Sequence, residues 1–164
     1  MDTQCSAVED LLPFQDIVSI ASDCPVRTGG LGTGTGVFRE SEELKVFLVD
    51  DSAIIRQRIT TLLQDFPQLE ITGQFDTDAE AIQSISQTPP DAILLDLELG
   101  STNTNGLNVL HYASRHFPSI KVIILTNHSD GLTRSQCLKA GAYLFLDKTL
   151  EFDKVPNVLL TAFP

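Results

Sequence analysis

Ionisable or hydroxyl side chains end four short apolar runs in this chain. Asp50 and Asp51 follow Lys45-Val46-Phe47-Leu48-Val49, and Asp96 follows Ala92-Ile93-Leu94-Leu95. Thr126 follows Val122-Ile123-Ile124-Leu125, and Lys148 follows Tyr143-Leu144-Phe145-Leu146-Asp147. Brought to one spot, three carboxylates, a hydroxyl and an ammonium can hold a divalent cation and a phosphoryl group. Adjacent carboxylates repel, and one tends toward protonation unless a cation is bound. Hard oxygen ligands suit Mg²⁺, which keeps several waters and bridges to phosphate oxygens. Asp96 is the best placed nucleophile, and a carboxylate attacking phosphorus gives an aspartyl phosphate. The Thr126 hydroxyl and the Lys148 ammonium could each meet an equatorial oxygen of the transferring group. Taken singly these residues say little. An acidic pair before a helix is most often a cap, an Asp after a strand is a turn residue, and a lone lysine is a solvated one. Their joint occurrence at successive strand ends carries the reading.

The elements that must position them alternate. Ser52 is a good helix N-cap, and Ile54, Ile55, Ile59, Leu62 and Leu63 recur at helical spacing up to Phe66, before Pro67. Leu69-Glu70-Ile71-Thr72-Gly73 reads as a short strand. Thr77 or Asp78 can cap a second helix that stops at Pro89-Pro90. A third helix follows Gly106, and a fourth runs near Leu132–Ala140, with Gly141 suited to a left-handed cap. A fifth covers about Lys154–Ala162, with Pro156 tolerable only in its first turn. Five β-α units imply a parallel sheet with right-handed crossovers and helices on both faces. The crevice of such a sheet lies at the C-terminal strand ends.

Composition narrows the classes. The 164 residues suit one domain with spare length, and a hydrophobic fraction of 42% supplies a core. A net charge of −11 argues against DNA binding by this chain, since no basic surplus neutralises phosphates. Cys5, Cys24 and Cys137 fit neither a zinc spacing nor a disulfide framework, and a cytoplasmic compartment is expected. No apolar run reaches the length of a membrane span, and the acidic N-terminus argues against a signal peptide. Residues 1–43 carry eight acidic and two basic residues and the run Gly29-Gly30-Leu31-Gly32-Thr33-Gly34-Thr35-Gly36. They read as a flexible extension, with Leu11–Ile20 apolar enough to dock, and residues 44–164 as the folded domain. The glycine run matches neither the dinucleotide fingerprint nor a P-loop.

Residues 45–160 resemble the receiver domain of bacterial two-component response regulators. The matching pieces are Phe47-Leu48-Val49-Asp50-Asp51-Ser52, Ile93-Leu94-Leu95-Asp96-Leu97, Gly106-Leu107, Ile123-Ile124-Leu125-Thr126, Lys139-Ala140-Gly141-Ala142 and Phe145-Leu146-Asp147-Lys148. The resemblance implies a flavodoxin-like, doubly wound α/β fold with a five-stranded parallel sheet in the order 2-1-3-4-5. It implies Asp96 as phosphoacceptor, and Mg²⁺ held by Asp50, Asp51, Asp96 and the backbone carbonyl of Glu98. Thr126 and Lys148 would contact the phosphoryl group, and Phe145 would be the aromatic switch that turns inward as Thr126 moves. The implied partner is a sensor histidine kinase or a histidine phosphotransfer protein, with output through protein contacts and no membrane. Self-phosphorylation from phosphohistidine and autodephosphorylation are expected, without conventional turnover.

Three departures stand out. The loop 97–106 is longer than is usual in that family and lacks its proline. Thr149 replaces a proline that many receivers hold in a cis peptide, so a trans bond is expected, a cis non-proline bond costing about 3–4 kcal/mol. The chain ends at Pro164 without an output domain, which points to a stand-alone receiver. A phosphorelay carrier or the receiver part of a DNA-binding regulator are the alternatives. A haloacid-dehalogenase-type phosphohydrolase would want Asp where Glu98 stands, and a flavodoxin-like carrier would want a phosphate loop after the first strand. Glu98 is further expected on the crevice rim, within reach of Lys148 as an ion pair.

Overall fold

The computed structural model describes residues 43–100 and 105–163. The expectations for the acidic extension and for Leu11–Ile20 lie outside these residues. The strands are β1 (Leu44–Val49), β2 (Leu69–Phe75), β3 (Ala92–Leu95), β4 (Lys121–Thr126) and β5 (Leu144–Asp147). The α-helices are α1 (Ala53–Leu63), α2 (Asp78–Gln87), α3 (Gly106–His116), α4 (Gly131–Lys139) and α5 (Val155–Ala162), the last entered through a 3₁₀ turn at Phe152–Lys154. All neighbouring strands pair in parallel, in the order β2-β1-β3-β4-β5.

Side-chain alternation explains the layering. Along β1, Val46 and Leu48 pack on one face with Ile59 and Leu63 of α1 and Leu159 of α5. Phe47 and Val49 pack on the other with Ala81 and Ile85 of α2, Leu110 of α3 and Cys137 of α4. Helices therefore cover both faces, which is why β3 is four consecutive buried apolar residues rather than an alternating strand. Each fully buried Leu or Ile of this core contributes about 1.5–3 kcal/mol relative to exposure. Among the described residues no helix is long and apolar enough to cross a membrane.

Local signals set the ends. Ser52 accepts the Ile55 N–H at 3.4 Å, and Thr77 accepts the Glu80 N–H at 3.3 Å. Gly141, at φ 103°, follows α4 in the left-handed region. Two bounds differ from the sequence reading. Helix α1 stops at Leu63 rather than Phe66, and a turn from Leu63 to Phe66 follows. Phe66 precedes Pro67, whose ring disfavours the helical conformation there. Strand β2 continues past Gly73 to Phe75. Gly73 marks a register shift opposite Phe47 rather than a strand end.

Candidate functional site

The carboxyl ends of β1, β3 and β5 bring Asp50, Asp51, Asp96 and Lys148 together. Parallel pairing sets this directly: Val49 lies level with Leu95, so the next residues of both strands emerge side by side. Asp96 is tied there by its own N–H, which donates to the Val49 carbonyl at 2.8 Å. On the far side, Thr126 lies level with Asp147, and the Lys148 N–H donates to the Thr126 carbonyl at 3.0 Å.

Lys148 Nζ lies 2.6 Å from Asp50 Oδ2 and 2.6 Å from Asp96 Oδ2. All three residues are buried, whereas Asp51 is exposed. Burial raises the Asp50 pKa above the usual carboxylate value, although the Lys148 ammonium and the Ser52 N–H favour its charged form. Burial works to lower the Lys148 pKa, but the two carboxylates together outweigh it and hold the ammonium above its ordinary value. The lysine is thus a fixed cation between two acids.

One carboxylate oxygen from each of Asp50, Asp51 and Asp96 lies within 4.8 Å of the others. This donor set is all hard oxygen, carries excess negative charge and opens to solvent on the Asp51 side. It fits Mg²⁺, which prefers a few carboxylates plus waters. The crevice above it, about 600 Å³, is lined by Asp51, Ser52, Asp96, Glu98, Asn127 and Lys148 among others. That volume exceeds what a phosphoryl-sized group needs.

Several groups that the sequence reading passed over hold the site in place. Asp147 accepts the N–H groups of Thr149 at 2.7 Å and Leu150 at 3.0 Å, and the Ser129 hydroxyl also donates to it. These bonds lower its pKa, the Ser129 contact most. They form the turn that aims Lys148, and the Lys148–Thr149 peptide is trans as expected. An Asp followed by small or polar residues at a strand end is a recognisable turn signal. Arg56 donates to the Asp50 carbonyl from the first turn of α1. Asp78, buried at the start of α2, accepts Asn108 Nδ2 at 2.7 Å and the Asn105 N–H at 3.4 Å. It thereby anchors the far end of the long loop, a contact 27 residues apart that no local pattern signals.

That loop closes on itself near its base. Glu98 and Asn105 form an antiparallel bridge, and the Gly106 N–H donates to the Leu97 carbonyl at 3.1 Å. A Cβ on Gly106 would fall 2.1 Å from the Asp96 carbonyl oxygen, so only glycine permits this approach. Gly100, at φ 40°, passes over Asp51, where a Cβ would fall 2.3 Å from Oδ2.

The remaining expected residues stand apart from the crevice centre. Thr126 is fully buried, and its hydroxyl accepts the His128 N–H at 3.4 Å. Phe145 lies wholly inward in the core beside α4, with the Arg134 guanidinium 5.7 Å from its ring centroid. Glu98 does not meet Lys148. Its Oε1 lies 2.8 Å from His128 Nε2, while Lys148 is drawn inward by two buried acids. The expected Glu98–Lys148 pair is therefore replaced by a Glu98–His128 pair.

Comparison with known proteins places this geometry. The profile of the response regulator receiver domain matches residues 46–160, about seven tenths of the chain. The protein-glutamate methylesterase/protein-glutamine glutaminase 1 of Carboxydothermus hydrogenoformans is 34% identical, over 70% of this chain and 34% of that protein. The response regulator GacA of Pseudomonas syringae pv. syringae is 30% identical, over 64% and 48%. The transcriptional regulatory protein LnrK of Bacillus subtilis is 26% identical, over 72% and 53%. The chain thus spans about a third to a half of the length of these relatives. The response regulator domain of Thermotoga maritima CheB superposes with a TM-score of 0.61 at 26% identity, covering 73% of this chain and 92% of that one. The isolated REC domain of RcsB from Salmonella enterica serovar Typhimurium gives 0.67 at 21% identity, over 73% and 88%. With its order β2-β1-β3-β4-β5 and its acidic crevice at the strand ends, the chain belongs to the response regulator receiver domain family.

Proposed function

We propose that this receiver takes a phosphoryl group onto Asp96 from a phosphohistidine on a sensor histidine kinase or phosphotransfer protein, and loses it by hydrolysis. The observation that carries the reading is Lys148 Nζ at 2.6 Å from both Asp50 and Asp96, beside Asp51. In the transfer, an Asp96 oxygen bonds to phosphorus as the phosphorus–nitrogen bond of the donor breaks, and the imidazole nitrogen keeps the electron pair. In hydrolysis, a water oxygen attacks phosphorus, the Asp96 oxygen–phosphorus bond breaks, and inorganic phosphate leaves. Asp50, Asp51, Asp96 and the Glu98 carbonyl would hold Mg²⁺, which neutralises phosphoryl oxygens when bound. Lys148 shifts its hydrogen bonds toward a phosphoryl oxygen, and the Thr126 hydroxyl turns from the His128 N–H to another. Phe145 packs against the space that Thr126 leaves. Output passes through the face of α4, β5 and α5, where Leu132 and Tyr143 are exposed.

A sensor kinase partner places the reaction in the cytoplasm. LnrK is by name a transcriptional regulatory protein. Similarity to it supports a second reading, in which this receiver controls a DNA-binding output.

Asp96→Asn is expected to abolish labelling by radiolabelled acetyl phosphate, and EDTA to do the same to the unmodified protein. Acid-stable or EDTA-resistant labelling would overturn the assignment. Residues 1–43 we take as dispensable for the chemistry. A chain starting at Glu42 is expected to label at a similar rate, and a drop of more than tenfold would count against that division.

A further inference from the structure

We propose that Asp78, at the start of α2, is a positioning residue for the metal end of the crevice, and that its carboxylate holds the Glu98 backbone carbonyl where a divalent cation can use it. This rests on the receiver reading above, in which that carbonyl joins Asp50, Asp51 and Asp96 around Mg²⁺. Asp78 is a buried acid, 8% exposed, that the phosphoryl chemistry does not touch. Helix α2 does not need it as a cap either, because the Thr77 hydroxyl already accepts the Glu80 N–H at 3.3 Å. One oxygen, Oδ1, accepts the N–H of the next residue, Ala79, at 2.9 Å. The other, Oδ2, crosses to a different element. It accepts Asn108 Nδ2 in α3 at 2.7 Å and the Asn105 N–H at 3.4 Å. A buried carboxylate is costly without donors, so the acid and the two asparagines hold one another in place.

Asn105 carries that hold to the metal end. Its side chain caps α3 by accepting the Leu107 N–H at 2.9 Å, and its backbone forms the antiparallel bridge with Glu98. The next residue, Gly106, donates its N–H to the Leu97 carbonyl at 3.1 Å. Glu98 and Asn105 both line the crevice, and Asp78 supports Asn105 from α2. The carboxylate thus reaches Glu98 in two steps, one hydrogen bond and one bridge. Mg²⁺ demands near-ideal octahedral oxygen geometry, whereas Ca²⁺ accepts irregular shells. Loosening Asn105 therefore weakens Mg²⁺ more than Ca²⁺.

The test is Mg²⁺ binding to the full chain by isothermal titration calorimetry, with no phosphodonor present, and Tm in EDTA alongside. Asp78→Ala is expected to raise the Mg²⁺ Kd about tenfold, the lower end of what a group supporting a metal ligand contributes. The Ca²⁺ Kd should rise less than about threefold. Asp78→Asn keeps an acceptor oxygen and should bring Mg²⁺ affinity back near that of the unmodified protein. Asn108→Ala removes the shorter bond and should raise the Mg²⁺ Kd by less than Asp78→Ala does. The two changes together should match Asp78→Ala alone, since both act through one clasp. Ile85→Val, at a fully buried position of the same helix, should lower Tm and leave the Mg²⁺ Kd unchanged. An unchanged Mg²⁺ Kd in folded Asp78→Ala, additive rises, or an equal rise in Ile85→Val would overturn the proposal. If Asp78→Ala does not fold, an unchanged Kd in Asn108→Ala does the same. Mg²⁺ binding that survives Asp51→Asn unweakened would instead sink the functional reading, whatever Asp78 does.

Discussion

Two sets of polar side chains meet at the same end of the sheet in different physical settings. The side chains of Lys148, Asp50 and Asp96 are 6%, 4% and 8% exposed, whereas His128 and Glu98 are 61% and 64% exposed. In the first set desolvation decides the energetics. Removing the lysine leaves two carboxylates that water reaches poorly, so loss of the one cation is costly. In the second, water competes for both partners, and the pair can open and close at little cost. The inner set fixes the reacting groups, and the rim pair joins only the segments past the ends of β3 and β4.

The sharpest way to break this contrast is Lys148→Met. It leaves Asp50 and Asp96 facing each other, and we expect a loss of about 3 kcal/mol in unfolding free energy measured with EDTA. Millimolar Mg²⁺ should recover more for the variant than it adds to the unmodified protein. A loss below about 1 kcal/mol would put the buried set on a level with a surface pair.

Asp50→Asn should act in the opposite direction. Burial raises the Asp50 pKa, so keeping that carboxylate charged costs the fold stability. The sign follows: its favourable contribution is fully present below the ordinary carboxylate pKa and is lost as pH rises through the raised one. In EDTA at neutral pH the variant should be more stable, read as a rise in Tm. That gain should shrink as pH falls into the acid range. A variant less stable at neutral pH would show that Asp50 is needed to hold Lys148. Smallest of all, Glu98→Ala or His128→Ala should shift the unfolding free energy by under about 0.5 kcal/mol by urea titration, whatever they do to the rates.

Much of this was legible because strands and their terminal residues are local patterns. The apolar runs before Asp50, Asp96, Thr126 and Lys148 place those residues at strand ends without any knowledge of the fold. Parallel register then does the rest, as with Val49 opposite Leu95. Partner choice was not legible. Glu98 pairs with His128 rather than Lys148 because two buried acids draw the lysine inward, a competition that only three-dimensional distances reveal. The same holds for Asp78, whose contact with Asn108 joins residues 30 positions apart. The strand bounds slipped where glycine served close packing instead of punctuation, as at Gly73.

The bridge between Glu98 and Asn105, with Gly106 pressed on the Asp96 carbonyl, has one further consequence. The start of α3 is thereby clamped to the peptide of the nucleophile itself, with no spacer between them. A side chain added at Gly106 would register at Asp96 before it registered in the helix that Gly106 begins.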